Sequence, residues 1–112
     1  MPSHRVQRTA EDLKRELSDI IRTLKDPRIT GMLSIVKLDL SSDYSYCKVY
    51  ISSMEGLDNA KNAVEGLKSA SGFIRREVGM RIKMRKIPEF KFIPDDGIAY
   101  SADLNQKLKD LL

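Results

Sequence analysis

Val6, Ala10, Leu13, Leu17, Ile20, Ile21 and Leu24 recur at steps of three and four, a spacing that lines up one face of a helix. Lys25-Asp26-Pro27 closes the pattern, because proline disfavours helical angles in the residue before it. An amphipathic helix is therefore predicted over roughly residues 5 to 25, with Ser3 or Thr9 available as a cap. Two β-rich runs follow, Met32 to Ser41 and Tyr44 to Met54, separated by Ser42-Asp43; their closeness predicts an antiparallel hairpin. In the second run Cys47, Val49 and Ile51 alternate with Tyr46, Lys48, Tyr50 and Ser52, the period of a strand with one buried face. In the first the apolar phase switches from Leu33/Ile35 to Val36/Leu38/Leu40, which predicts a bulge or burial on both faces.

Ala60, Ala63, Val64, Leu67, Ala70, Ile74 and Val78 keep helical spacing through Ala70-Ser71-Gly72, so two helices are predicted to share one buried stripe across a kink. Gly72 is the expected hinge, since glycine is a poor helix former and tolerates unusual backbone angles. The second helix is expected to continue from Phe73 to Lys86, with Phe73, Met80 and Met84 as a second stripe. Arg81 to Arg85 also alternate charged and apolar residues, a strand-like pattern, but helix is the preferred reading. Pro88 to Pro94 reads as a short strand, Asp95-Asp96-Gly97 as a turn and Ser101 to Leu112 as a last short helix carrying Leu104, Leu108, Leu111 and Leu112. The order α-β-β-α-kink-α-β-(α) predicts an α+β domain with helices on one face of a three-stranded sheet, the order of the type II KH fold. Small α+β domains of other kinds share that order, and fold alone does not give function; residues 1–112 are expected to form a single KH-like domain, with 98–112 as a C-terminal extension.

Charge adds a direction. The formal net charge is only +4, yet between Lys68 and Lys91 eight Lys or Arg face two acids, a local balance of +6. A basic segment on a mildly acidic body is a footprint for a polyanion. On a continuous helix Arg75, Arg76, Lys83 and Lys86 share with Gly72 and Gly79 an arc of roughly 100°, at 100° per residue. The glycines remove side-chain bulk beside the cations, so a phosphate backbone is expected to approach closely there. Arg81 and Arg85 flank this arc, near the stripe of Ile74, Val78 and Ile82. Phe73, Phe90 and Phe92 are spaced for the core, whereas Tyr46 and Tyr50 share the outer face of their strand with Lys48, a small patch for RNA or protein.

Other chemistries are poorly represented. With 112 residues, 41% of them hydrophobic, the chain is sized for one core, and its apolar runs are far shorter than the roughly 20 residues of a bilayer span. The N-terminus lacks the apolar stretch of a secretory signal, and the expected location is the cytoplasm. The single Cys47 and single His4 make neither an intramolecular disulfide nor a zinc site, and Asp95-Asp96 before a glycine reads as a solvated turn. Catalytic dyads and phosphate-cradling glycine loops are missing, so neither an enzyme nor a cofactor is expected. Nucleic-acid-binding KH modules normally carry Gly-x-x-Gly between two helices, and here Ala70-Ser71-Gly72 stands in its place.

In ordered combination the chain resembles the ribosome-binding factor A family. The resemblance rests on Arg5-Val6, Lys25-Asp26-Pro27-Arg28 with Gly31-Met32, Lys48-Val49-Tyr50 and Ala70-Ser71-Gly72-Phe73-Ile74-Arg75. It continues through Glu77-Val78-Gly79, Arg81, Pro88-Glu89-Phe90, Phe92 and Asp95-Asp96. It implies a type II KH fold whose Ala-x-Gly kink replaces the glycine loop. It further implies a non-enzymatic factor for ribosome biogenesis that binds the free 30S subunit or its precursor and 16S rRNA, aids 5′-end processing and supports growth in the cold. By the same carry-over Ala70, Ser71, Gly72, Arg75, Arg76, Gly79, Arg81, Lys83, Arg85 and Lys86 form the RNA-facing side. Cys47 stands where the family commonly has Ala. A monomer with no small-molecule substrate and no membrane contact is expected; the competing reading is a basic adaptor docking on an acidic protein.

Overall fold

The protein was analysed as a computed structural model, which describes residues 4–95. Its elements run α1 (His4–Thr23), β1 (Leu33–Leu40), β2 (Tyr46–Ser53), α2 (Leu57–Ser69), α3 (Ser71–Arg81) and β3 (Glu89–Pro94). The expected helix over residues 101–112 lies outside the described residues. The three strands form one sheet in the order β1-β2-β3, with β2 antiparallel to β1 and parallel to β3. Because parallel neighbours need a crossover, α2 and α3 carry the chain from the end of β2 back to the start of β3.

The α+β expectation holds, with the helices layered on one face of the sheet. The face carrying Ile35, Leu40, Cys47, Val49, Ile51, Phe90 and Phe92 is buried against Leu13, Leu17 and Ile20 of α1, Val64 and Leu67 of α2, and Ile74 and Val78 of α3. No polar or charged side chain is buried among the described residues, so burial of apolar surface, at roughly 25 cal/mol per Å², holds the layers together. The predicted bulge falls where the phase switches: the β1/β2 register slips between Ile35 and Lys37, leaving Val36 as the extra residue. Thr9 does not cap α1; it lies within the helix and its hydroxyl donates to the Arg5 carbonyl.

Three details differ from expectation. The hairpin connection spans residues 41–45 rather than Ser42-Asp43 alone, with Tyr44 at φ 61°. Asp43 organises it, its carboxylate accepting from the Ser41 hydroxyl (2.8 Å), the Ser45 N–H (3.0 Å) and the Ser45 hydroxyl (2.8 Å). Those bonds, the Ser41 hydroxyl first, hold the Asp43 carboxyl at about 2.

Second, the helix break sits at Ala70 (φ −92°, ψ 7°), and Gly72 is an ordinary helical residue of α3. Ala70 itself is bonded on both sides: its N–H bonds the carbonyls of Gly66 and Leu67, and its carbonyl accepts from Ile74. The bend is set by two helices covering one continuous core stripe, so no glycine hinge is required.

Third, α3 ends at Arg81 instead of running to Lys86. Ile82 is extended (φ −126°, ψ 130°), its N–H making the last helical bond to Val78. From there the period-2 alternation wins: Ile82 and Met84 pack against the core, while Lys83 and Arg85 stay exposed. The segment has the alternation of a strand without a ladder, and buried Pro88 leads it into β3.

Candidate nucleic-acid interface

The early end of α3 rearranges the expected basic arc. Arg75 and Arg76 remain on the helix, but Lys83, Arg85 and Lys86 lie on the extended exit, and all five are exposed. The two groups are tied together: the Arg75 guanidinium donates to the Ile87 carbonyl (2.9 Å), and Ile87 lies near where a side chain at Gly79 would begin. Lys86 reaches the other way, its ammonium donating to the Ser45 hydroxyl (3.0 Å) of the β1–β2 turn. Cations predicted to share one helix face thus form a broader surface of helix, loop and hairpin turn.

Among the described residues none of Arg75, Arg76, Lys83, Arg85 and Lys86 is ion-paired. Arg81 is different. Its guanidinium meets Asp19 (2.6 Å) and Glu16 (3.3 Å) of α1, so it clamps the end of α3 to the first helix. The hydrogen bond from Arg81 holds the Asp19 carboxyl below its ordinary range, and the same bond raises Arg81.

At the start of α3, Gly72 is exposed and a methyl group there would meet nothing within 4 Å. Neither backbone angles nor packing calls for a glycine at this place. Phe73, expected in the core, is 43% exposed, and Met80, seven residues on, is 70% exposed. Ile74 and Val78 take the core positions, which turns Phe73 and Met80 outward beside Arg76. The missed signal was their own spacing: two apolar residues in register with the basic arc rather than with the core stripe. Phe90 and Phe92 are buried as expected.

Cys47 is fully buried, and burial pushes its thiol up to about 12, which removes it as a nucleophile. His/Cys/Asp/Glu groupings able to hold a metal are absent among the described residues. None of the described helices is long and apolar enough to cross a membrane.

Fold and surface together define a class: a KH-like α+β domain in which a tight helix–helix joint replaces the glycine loop and exposed cations line the second helix and its exit. The chain belongs to the ribosome-binding factor A family, whose sequence model matches residues 5–108. It is 43% identical over 107 residues to ribosome-binding factor A of Acetivibrio thermocellus, covering 95% of this chain and 87% of that one. The crystal structure of ribosome-binding factor A from Thermus thermophilus superposes with a TM-score of 0.71 at 28% identity, over 80% of this chain and 93% of that one. A homology model of the Thermus thermophilus factor, fitted into a cryo-EM map of its complex with the 30S subunit, matches with a TM-score of 0.64 at 29% identity, over 76% and 89% of the two chains.

Proposed function

We propose that this protein is a non-enzymatic, cytoplasmic assembly factor that binds the free 30S subunit or its precursor through phosphates of 16S rRNA. In this role it aids late maturation and 5′-end processing of the RNA and supports growth in the cold. The observation that carries the reading is the exposed group Arg75, Arg76, Lys83 and Arg85, none ion-paired among the described residues, with Lys86 drawn toward Asp43, beside the bare helix surface at Gly72. The fitted complex of the Thermus thermophilus relative supports the choice of particle. Ala70 and Ser71 shape the joint, Gly72 and Gly79 keep the surface low, and the arginines and lysines meet phosphate. Arg81 belongs to the same side but acts by fixing α3 on α1.

Arg76→Glu with Lys83→Glu is expected to abolish co-sedimentation with 30S subunits while leaving the melting temperature nearly unchanged. Wild-type association should weaken steeply as salt rises. Association that survives the double reversal removes α3 and its exit as the contact surface. Exposed Phe73 and Met80 beside Arg76 favour one alternative, an acidic protein partner. Association that persists after the RNA is digested would select it.

A further inference from the structure

The helices leave the second face of the sheet open. Along β2 it carries Tyr46, Lys48 and Tyr50, along β1 Val36, Lys37 and Asp39, and along β3 Glu89, Lys91 and Ile93. Tyr46 is 51% exposed, and a lysine ammonium lies over each tyrosine ring: Lys91 is 5.2 Å from the Tyr46 centroid and Lys37 5.5 Å from that of Tyr50. Lys48 stands between the two tyrosines, with Asp39 as its register partner on β1 and Lys91 on β3. Like charges side by side on neighbouring strands repel, and among the described residues none of Lys37, Lys48 and Lys91 is ion-paired. An anionic ligand turns that repulsion into attraction.

We infer that this open face binds unpaired nucleotides of RNA, bases stacking on Tyr46 and Tyr50 and phosphates meeting Lys37, Lys48 and Lys91. An open sheet face with accessible aromatics is the platform that single-strand binders use, because every base has a face to stack and the phosphates fall beside it. A base that stacks there takes the lysine's place on the ring, and the displaced ammonium stays within reach of the phosphate. The occupant is RNA rather than an acidic peptide because the cations are interleaved with aromatic rings rather than with apolar pockets. The face is also continuous with the basic surface on the helix side: Lys86 is bonded to Ser45, the residue before Tyr46, and the Ser45 carbonyl accepts from the Glu89 N–H at the start of β3. The two surfaces therefore meet at Ser45, beside Asp43 and Glu89. One meets folded RNA through phosphates, and the other holds a loose strand. The inference rests on the ribosomal RNA reading above only for the source of that strand.

The test uses the full chain and a short, fluorescently labelled oligouridylate read by anisotropy. The chain has four tyrosines and no tryptophan, so stacking is also expected to quench its intrinsic fluorescence. Tyr46→Leu with Tyr50→Leu should weaken oligonucleotide binding by about tenfold or more and remove the quench, since stacking contributes at least that much over two bases. Tyr46→Phe with Tyr50→Phe keeps the rings and should bind like wild type. Lys48→Glu with Lys91→Glu should weaken binding and flatten its salt dependence, which covers the case of a poorly folded leucine variant. Unchanged oligonucleotide affinity in both the leucine and the glutamate variants overturns the inference. So does loss of 30S association in the leucine variant with oligonucleotide binding intact, which would put a protein on this face. Arg76→Glu with Lys83→Glu runs alongside: if it alone loses 30S association while the sheet variants bind oligonucleotide normally, the sheet proposal fails and the helix-side function stands. If the sheet variants lose the oligonucleotide while the helix variant still co-sediments, the reverse holds.

Discussion

Two connections leave helices of this protein toward the sheet, and they treat charge in opposite ways. Between α1 and β1, Asp26 and Arg28 close on each other through two side-chain bonds (2.7 and 3.1 Å), and Asp26 also accepts the Arg28 N–H (2.8 Å). Gly31, at φ +81°, lies against the Glu55 carboxylate, which accepts from the Met32 N–H and the Ser53 hydroxyl. Ile29 sits so close to Gly66 of α2 that a methyl group on Gly66 would stand 2.8 Å from its Cγ1. Between α3 and β3, by contrast, Lys83 and Arg85 turn outward, and neither is ion-paired among the described residues. A charge with its counter-charge two residues away belongs to the fold; a run of charges without one serves something outside it. The glycines divide the same way, Gly31 and Gly66 being demanded by geometry and Gly72 by nothing in the fold.

The strongest way to break this contrast is Gly66→Val. A branched side chain there must displace Ile29 and Arg28, and the cost is expected near 2–3 kcal/mol, a fall of about 10 °C or more in the melting temperature. Next comes a paired substitution, Arg81→Ala against Arg85→Ala. Removing Arg81 should lower the denaturant midpoint by a small but measurable amount, because two α1 carboxylates lose a partly exposed cation. Removing Arg85 should leave stability alone and lower the slope of log affinity against log salt by about 1. If the two exchange behaviours, the division between fold charge and ligand charge is wrong.

Gly72→Ala sharpens the comparison from the other side. It should raise stability by roughly 0.5–1 kcal/mol, through better helix propensity, while weakening 30S association. The smallest effect concerns acid. The Arg28 side chain, then its backbone N–H, holds the Asp26 carboxyl at about 2, below its ordinary 3.8. A depressed carboxyl contributes stability above the ordinary value and loses it as pH falls through about 2. Asp26→Asn should therefore lower the melting temperature slightly near neutrality, where the contribution is fully present, and flatten its decline between pH 4 and 2.

How much was visible beforehand follows from how local each cause is. The stripe of α1, the alternation in β2 and the phase switch around Val36 are patterns within a single element, and each has its predicted counterpart. The end of α3 was misread because Phe73, Met80 and Met84 mimic a helical stripe; Phe73 and Met80 turn to solvent and only Met84 packs on the core. The helix break was assigned to Gly72 on propensity, yet the bend is made by packing and falls on Ala70. The role of Arg81 was out of reach, since Glu16 and Asp19 lie 65 and 62 residues away along the chain. Membership in the basic surface was legible from composition. Which cations stay unpaired was not, because that depends on partners chosen by the fold.

The joint at Ala70 has a consequence for timing. Since Ala70 is hydrogen-bonded to the turns on both sides of the joint and Leu67, Ile74 and Val78 are buried around it, the angle between α2 and α3 is settled when the chain folds. A flexible glycine loop would have to be ordered by its ligand, and that lost freedom would be subtracted from each encounter. Here the disorder is removed once, in folding, so a ligand meeting this joint would find a surface already ordered.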